Sequence, residues 1–359
     1  MKILLLNQYV PPDASPTALL LGDLARILEQ EGHEVRLVGS GSSYGVRRRG
    51  WGRWLHEGWS LLRMMSAAVS GPKPGAVIVL SSPPCLLLVG VLVARVRGAR
   101  LLHWVMDVYP ETAVALGECG WWAGEVLGGL MGWAYRSCAK VVVLDDDMAQ
   151  WLEKRHGIQA EVLPPWPPEL AASDVSARAV SGRRIWMYSG NLGRAHDWET
   201  LVDAQEILER EGKAWDLVIQ GGGSGYEEAR LEAERRGLKH CRWLPYVPRE
   251  QLMGTLMEAE VLVATRLPCL RGLLWPSKLA VMQSLPRTIL WVGERHGAVA
   301  RMLSQRGGVG IFSCGQSEEV ARWLAGLPGE RLPMSGEPIA LRRRRLQEQA
   351  LAVFANALK

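Results

Sequence analysis

Phenylalanine is almost missing from the chain, which has 2 against 16 tryptophans. Cysteine is sparse and scattered. Cys85, Cys119, Cys138, Cys241, Cys269 and Cys314 form no Cys-x-x-Cys pair, so neither a disulfide framework nor a structural zinc site is suggested. Free thiols suit a reducing, cytoplasmic compartment. No long apolar run exists: the longest uncharged apolar stretch, Pro83 to Ala94, falls short of the roughly 20 residues that span a bilayer. The opening MKILLLNQYVPPDASP lacks a small-residue cleavage site and reads as a strand, not a signal peptide. Neither sign of charge dominates. Lys and Arg total 42, Asp and Glu 37, a net charge of +5, too weak and dispersed to imply nucleic acid.

What is present is a folded chain of 359 residues, 48% hydrophobic and 22% charged, which excludes disorder. At roughly 150 residues per domain, two domains are expected. Short apolar runs at Lys2–Leu6, Glu34–Val38, Ala76–Leu80, Arg100–Val105 and Val141–Leu144 alternate with helical patterns. In the first helix Ser15 is a plausible N-cap, Pro16 suits the first helical position, and Thr17, Leu21, Leu24 and Leu28 share a face. The rhythm breaks at Leu163-Pro-Pro-Trp-Pro-Pro-Glu169 and restarts with strands expected at Arg184–Tyr188, Trp215–Gln220, Glu260–Ala264, Arg287–Val292 and Val309–Phe312. Continuous apolar strands between helices predict parallel sheets covered on both faces. The expected fold class is α/β, with two doubly wound Rossmann-like domains over 1–165 and 183–339 and a linker over 166–182. A basic-faced helix at about 340–359 is free to pack back on the first domain. Ligands of such sheets bind beyond the strands' carboxyl ends, and the cleft between two domains is the default site.

Two segments of the second domain carry chemistry. The strand ending at Tyr188 runs into Ser189-Gly190-Asn191-Leu192-Gly193-Arg194, with a helix expected near Asp197. Glycine lets backbone approach a ligand, a helix N-terminus offers free N–H groups, and Arg194 adds a permanent charge suited to phosphate. An ordinary βα turn would look the same. The second segment is Leu274-Trp-Pro276-Ser277-Lys278, expected to open a helix to Ser284. A lysine at the positive end of a helix is unfavourable unless an anion joins it. Gly222 and Gly223, in Gln220-Gly-Gly-Gly-Ser-Gly225, fail as a dinucleotide fingerprint but could bring backbone near a nucleotide. Asp145-Asp-Asp147 reads either as a metal–nucleotide site or, more simply, as a helix cap at Asp145. His103, inside an apolar strand, reads as a core histidine.

Together these residues resemble a family 4 retaining glycosyltransferase of the two-domain glycosyltransferase B fold, in the branch that builds bacterial surface polysaccharides. Asn7-Gln-Tyr-Val-Pro-Pro-Asp13, Gly32-His-Glu-Val35, Asp107-Val-Tyr-Pro-Glu111 with Ala115-Leu-Gly117, Tyr188-Ser-Gly-Asn-Leu-Gly-Arg194 and Pro276-Ser-Lys278 carry the resemblance, over roughly residues 1–315. It implies transfer of a hexosyl or N-acetylhexosaminyl group from a nucleotide-diphosphate sugar, with retention, no metal and no other cofactor. Arg194, Lys278 and Asp107 would then be catalytic. Gly190, Asn191, Gly193, Gly222, Gly223, Pro276 and Ser277 would bind donor, and Asp13, Thr17 and Glu111 a lipid-linked or polysaccharide acceptor. The chain departs from the pattern at Met106, where a histidine is usual, at Leu273 and Val281, where paired glutamates are usual, and at Pro286-Arg-Thr288. A nucleotide-sugar epimerase and a non-catalytic donor- or lipid-binding subunit are the alternatives. Finally, Arg47-Arg-Arg49 precedes a helical stretch to about Val69. Trp51, Trp54, Leu55, Leu62 and Met65 share a face there, with Trp59 at its edge. This predicts an interfacial helix on an anionic membrane, or else a core helix.

Overall fold

The computed structural model describes residues 1–13, 15–41, 51–169, 182–328 and 337–358, without the side chains of 51–57. The chain divides into two units. The first is Met1–Pro168 with Gly272–Trp275 and Arg343–Lys359, and the second is Glu169–Arg271 with Pro276–Arg342. The boundary expected at 165/166 therefore falls at 168/169. The reason is Trp166, which is buried, donates its indole N–H to Asp23 at 3.0 Å and packs 5.5 Å from the Trp104 ring.

The first unit runs β1 (Lys2–Leu6), α1 (Pro16–Gln30), β2 (Glu34–Val38), α2 (Trp51–Ser70), β3 (Ala76–Leu80), α3 (Leu86–Arg97), β4 (Arg100–Trp104), α4 (Glu111–Ala115), α5 (Trp121–Arg136), β5 (Lys140–Val143), α6 (Asp146–His156) and β6 (Glu161–Val162). Its parallel sheet has the order β2-β1-β3-β4-β5-β6. Ser15 caps α1 through Ala18 N at 3.3 Å with Pro16 in the first turn, and Leu21, Leu24 and Leu28 are fully buried.

In the second unit the chain continues as β7 (Arg184–Asn191), α7 (Glu199–Arg210), β8 (Trp215–Gly222), α8 (Ser224–Arg235), β9 (Cys241–Leu244), α9 (Arg249–Glu258), β10 (Val261–Thr265), α10 (Leu279–Met282), β11 (Thr288–Val292), α11 (Ala298–Ser304), β12 (Val309–Phe312) and α12 (Ser317–Gly326). Here the order is β12-β11-β10-β7-β8-β9, also parallel. The last helix is α13 (Ile339–Leu358), whose Phe354 ring stands edge-on to Trp104 in the first unit. In each sheet the strand order reverses once, between β1 and β3 and between β7 and β10, and those reversals are where doubly wound sheets bind ligands.

Candidate functional site

In the second unit the site is built on β7 and β8, which stay paired two to three residues longer than their apolar runs. The register continues through Gly190 opposite Gly221 and Asn191 opposite Gly222. Glycine makes this possible. A Cβ on Gly221 would lie 2.2 Å from the Gly190 carbonyl oxygen, and one on Gly223 would lie 2.1 Å from that of Leu192. Gly190, Gly221 and Gly223 all hold φ near +130°, at +132°, +129° and +131°, a region closed to other residues. Gly193 and Gly223 leave room for the Asn191 side-chain amide.

Lys278 reaches this glycine platform. Its Nζ lies 3.4 Å from the centre of the Tyr188 ring, and a Cβ on Gly190 would meet its stem at 3.4 Å. Tyr188 is buried and donates its hydroxyl to the Asn191 carbonyl at 2.9 Å, so ring and loop are fixed together. Lys278 Nζ is itself buried and has no hydrogen-bond partner. Burial pushes its pKa well below the ordinary lysine value. Beside it, His196 is tied to the Thr265 carbonyl at 2.7 Å across the β7–β10 reversal. Burial, and then the Lys278 charge, push the His196 pKa down to about 3. It therefore stays neutral at physiological pH. Two more buried polar atoms here lack partners, Gln220 Nε2 on β8 and Thr265 Oγ1 at the end of β10. Such atoms are rare in folded proteins and mark places where a ligand completes the bonding.

Some expected details differ. Pro276, Ser277 and Lys278 do not open a helix to Ser284. They form a turn before the four-residue α10, because Lys278 folds onto Tyr188 instead of facing solvent. The N-terminus of α7 is not open to an anion. It starts at Glu199, and the Asp197 carboxylate already accepts from Thr200 N at 3.1 Å. Arg194 is exposed on the loop before it. By contrast, α8 follows the glycines with no side-chain cap. His196 and Thr265 belong to no motif, and Lys278 over the Tyr188 ring was not legible as a pairing.

In the first unit, Asn7 lies at the β1–β3 reversal and donates to the Tyr9 carbonyl at 2.7 Å and to Thr17 Oγ1 at 3.4 Å. Its own Oδ1 is buried without a partner. Asp13 accepts from Ser15 N at 2.8 Å and shapes the turn into α1. Asp107 pairs as an antiparallel bridge with Leu274, while Val108 N donates to the Leu273 carbonyl at 2.8 Å. Burial raises the Asp107 pKa to about 6. Glu111, expected at the acceptor, turns inward instead. Its carboxylate is 3.8 Å from His156 Nε2 and buried without hydrogen bonds, because Gly128 of α5 leaves it the space. Asp145 caps α6 by accepting from Met148 N at 2.8 Å. His103 is a core histidine bonded to the Val79 carbonyl at 2.8 Å, with its pKa lowered to about 4 by burial.

The Asp107 shift has a testable consequence. A carboxyl whose folded pKa lies above its unfolded value stabilises the fold below that unfolded value. The contribution is lost as pH rises towards 6. Asp107→Asn, which mimics the protonated acid, is expected to melt with the wild type near pH 4 and above it at pH 8. Thermal melts across pH check this, and parallel curves would refute it.

The chain superposes over its whole length on HepE of Anabaena, solved with UDP and glucose, at a TM-score of 0.64 with 15% identity and 97% of that chain covered. It superposes equally fully on the lipopolysaccharide outer core galactosyltransferase WaaB, at 0.63 with 14% identity and 99% of that chain. The fold is glycosyltransferase B. Residues 173–267 match the family described as Glycosyl transferases group 1. Over 383 positions the chain is 24% identical to the putative colanic acid biosynthesis glycosyl transferase WcaI of Escherichia coli K12, covering 91% of each. It is also 24% identical over 267 positions to the probable glycosyltransferase WbjE of Pseudomonas aeruginosa, covering 70% of this chain and 65% of that one. Within this glycosyltransferase B chain, Leu273 and Val281 are buried core residues. Leu273 acts through its carbonyl, which also accepts from Thr112 Oγ1 at 3.3 Å.

The stretch 47–69 is described only from 51 onward, and its side chains only from 58. Ser60, Met64 and Ala68 face inward, while Trp59 and Leu62 are exposed. The triple arginine lies outside the described residues. Among the described residues no helix is long and apolar enough to cross a membrane.

Proposed function

We propose that the chain moves a sugar from a nucleotide-diphosphate sugar to an acceptor, a lipid-linked or polysaccharide precursor, with retention and without a metal. The carrying observation is Lys278: a buried, unpartnered ammonium over an aromatic ring, beside glycines that let backbone come close. A desolvated cation in such a place is satisfied by an anion. As the sugar departs, negative charge grows on the nucleotide diphosphate, and a preorganised cation there lowers the barrier. Arg194, on the exposed loop, adds a second cation. Gly190, Asn191, Gly193, Gly222, Gly223, Pro276 and Ser277 frame the donor, and Asp13, Thr17 and Asp107 are assigned to the acceptor. The similarity to chains solved with UDP and to polysaccharide glycosyltransferases supports the reading.

The buried Leu273 and Val281 favour a second reading, a donor-binding subunit without turnover. A thermal-shift panel of UDP, GDP, ADP and TDP and their sugars tests what the two share. A nucleotide at 100 times its Kd is expected to add about 2.7 kcal/mol of stability. No shift with any nucleotide would refute both. Release of nucleotide from the bound donor separates them.

A further inference from the structure

Lys278 stands where a lysine is hard to keep. Its Nζ is buried without a hydrogen-bond partner, and the residue caps the start of α10, where the helix dipole opposes a cation. Helix α10 has only four residues, too few to be stable by itself. What fixes it lies at its other end. Arg306, in the turn between α11 and β12, spreads its guanidinium over the carbonyl end of α10. Nη1 donates to the carbonyls of Gln283 and, at 3.4 Å, Met282; Nη2 donates to those of Leu285 and, at 3.1 Å, Arg287. A second arginine continues the clamp. Arg287 is buried and donates to the Pro286 carbonyl at 2.8 Å and, in the last turn of α9, to that of Met257 at 2.6 Å. This is the segment Pro286-Arg-Thr288, which departs from the family pattern.

We infer that Arg306 is a positioning residue for Lys278: it holds α10, and with it the lysine, against the Tyr188 ring. Released at its carbonyl end, so short a helix would turn until the ammonium reached water, because an unpaired buried charge gains most from hydration. The chemistry of the clamp fits this task. Carbonyl groups at a helix end need partners from outside the helix. A guanidinium offers its donors in a fixed fork that reaches several carbonyls at once. Its charge suits the negative end of a helix whose positive end carries Lys278. Backbone transmits the restraint, since the Lys278 carbonyl accepts from Met282 N at 3.0 Å and from Val281 N at 3.2 Å. Lys278 and Arg306 thus sit at opposite ends of one hydrogen-bonded turn. Given Lys278 as the cation that meets the nucleotide diphosphate, Arg306 sets donor affinity without touching the donor.

The test labels the lysines of the full chain with acetic anhydride, without nucleotide, and reads each site by mass spectrometry. In the wild type Lys278 is expected to react slowly against Lys239, which is exposed. Arg306→Gln should raise the Lys278 rate roughly tenfold or more, the scale of one charge-assisted hydrogen bond lost from a local opening equilibrium, and leave Lys239 unchanged. Arg306→Lys, with an ammonium in place of the fork, should fall between, and it decides the question if the glutamine variant does not fold. Arg183→Gln is the control. It removes a guanidinium that donates to the carbonyls of Lys213 and Trp215 at the amino ends of β7 and β8, so it should lower the melting temperature and leave Lys278 slow. Titration with UDP completes a cycle: Arg306→Gln is expected to weaken UDP binding roughly tenfold in the wild-type background and not further in Lys278→Met. Equal labelling of Lys278 in the wild type and the Arg306 variants would overturn the inference, as would an equal loss of affinity in the two backgrounds. Labelling needs no nucleotide, so a chain that binds none refutes the donor-site reading and leaves the clamp to be decided by the Lys278 rate alone.

Discussion

Lys278→Met is expected to weaken nucleotide binding by about 10- to 100-fold, the scale of one hydrogen bond to a charged group, and to raise the melting temperature of the unliganded protein. The two effects have one cause. The Nζ of Lys278 is buried with no hydrogen-bond partner, and the Tyr188 ring compensates its desolvation only in part. Methionine fills a similar volume without a charge. The pH dependence follows from the direction of the shift. The folded lysine holds its proton less well than the unfolded one, whose pKa is the ordinary 10.5. Between those two values the unfolded chain binds more protons, so wild-type stability rises with pH across that window. The advantage of the methionine variant is therefore largest at neutral pH and closes towards pH 10.5. A gain of about 1 kcal/mol corresponds to roughly 2–4 °C for a domain of this size. Thermal melts at pH 7 and pH 10, with UDP titrations at pH 7, read both effects. A variant that loses stability and keeps its affinity would refute the assignment.

Gly223→Ala is expected to lower the melting temperature by about 5–10 °C and to abolish measurable nucleotide binding. The new Cβ would lie 2.1 Å from the Leu192 carbonyl oxygen and 3.0 Å from the Asn191 side chain, with φ at +131°. Backbone cannot yield as a side chain does. Strain and overpacking each contribute about 1–3 kcal/mol. Relief requires the β7 loop to move away from β8, which carries Asn191 off the site. Gly254→Ala, in the middle of α9 with nothing within 4 Å, is the control. It should gain about 0.5–1 kcal/mol from helix propensity and leave nucleotide affinity unchanged. Similar behaviour of the two variants would show that the glycine platform has no special geometry.

Much of the architecture was legible because parallel strands buried on both faces are continuous apolar runs. Lys2–Leu6, Ala76–Leu80 and Val309–Phe312 stand where their composition puts them. β6 and β9 escaped notice since both are short edge strands, half-buried, with Glu161 and Arg242 in their sequences. Polar composition also hid the true ends of β7 and β8, whose pairing through Ser189–Asn191 and Gly221–Gly222 needs glycine backbone instead of apolar side chains. Trp166 among its prolines read as linker, because burial by a distant partner, Phe354 through Trp104, leaves no periodic signal. The site was visible as two motifs and not as an arrangement. Gly190 and Lys278 are 88 positions apart in sequence, and only the fold lays the lysine over Tyr188. Glu111 was misread for the opposite reason. Its motif position suggested an exposed acid, but the glycine stripe of α5 opens an interior place for it beside His156.

Transfer is measured by incubating the full chain with radiolabelled nucleotide sugars, one base at a time, together with a lipid extract of bacterial membranes and EDTA. With the donor whose nucleotide stabilises the protein, label is expected to pass into the solvent-extractable lipid fraction, and Lys278→Met should slow that passage by roughly 10²–10³-fold. Label that stays on the nucleotide throughout, in a protein that binds it tightly, would contradict transfer and leave a donor-binding subunit.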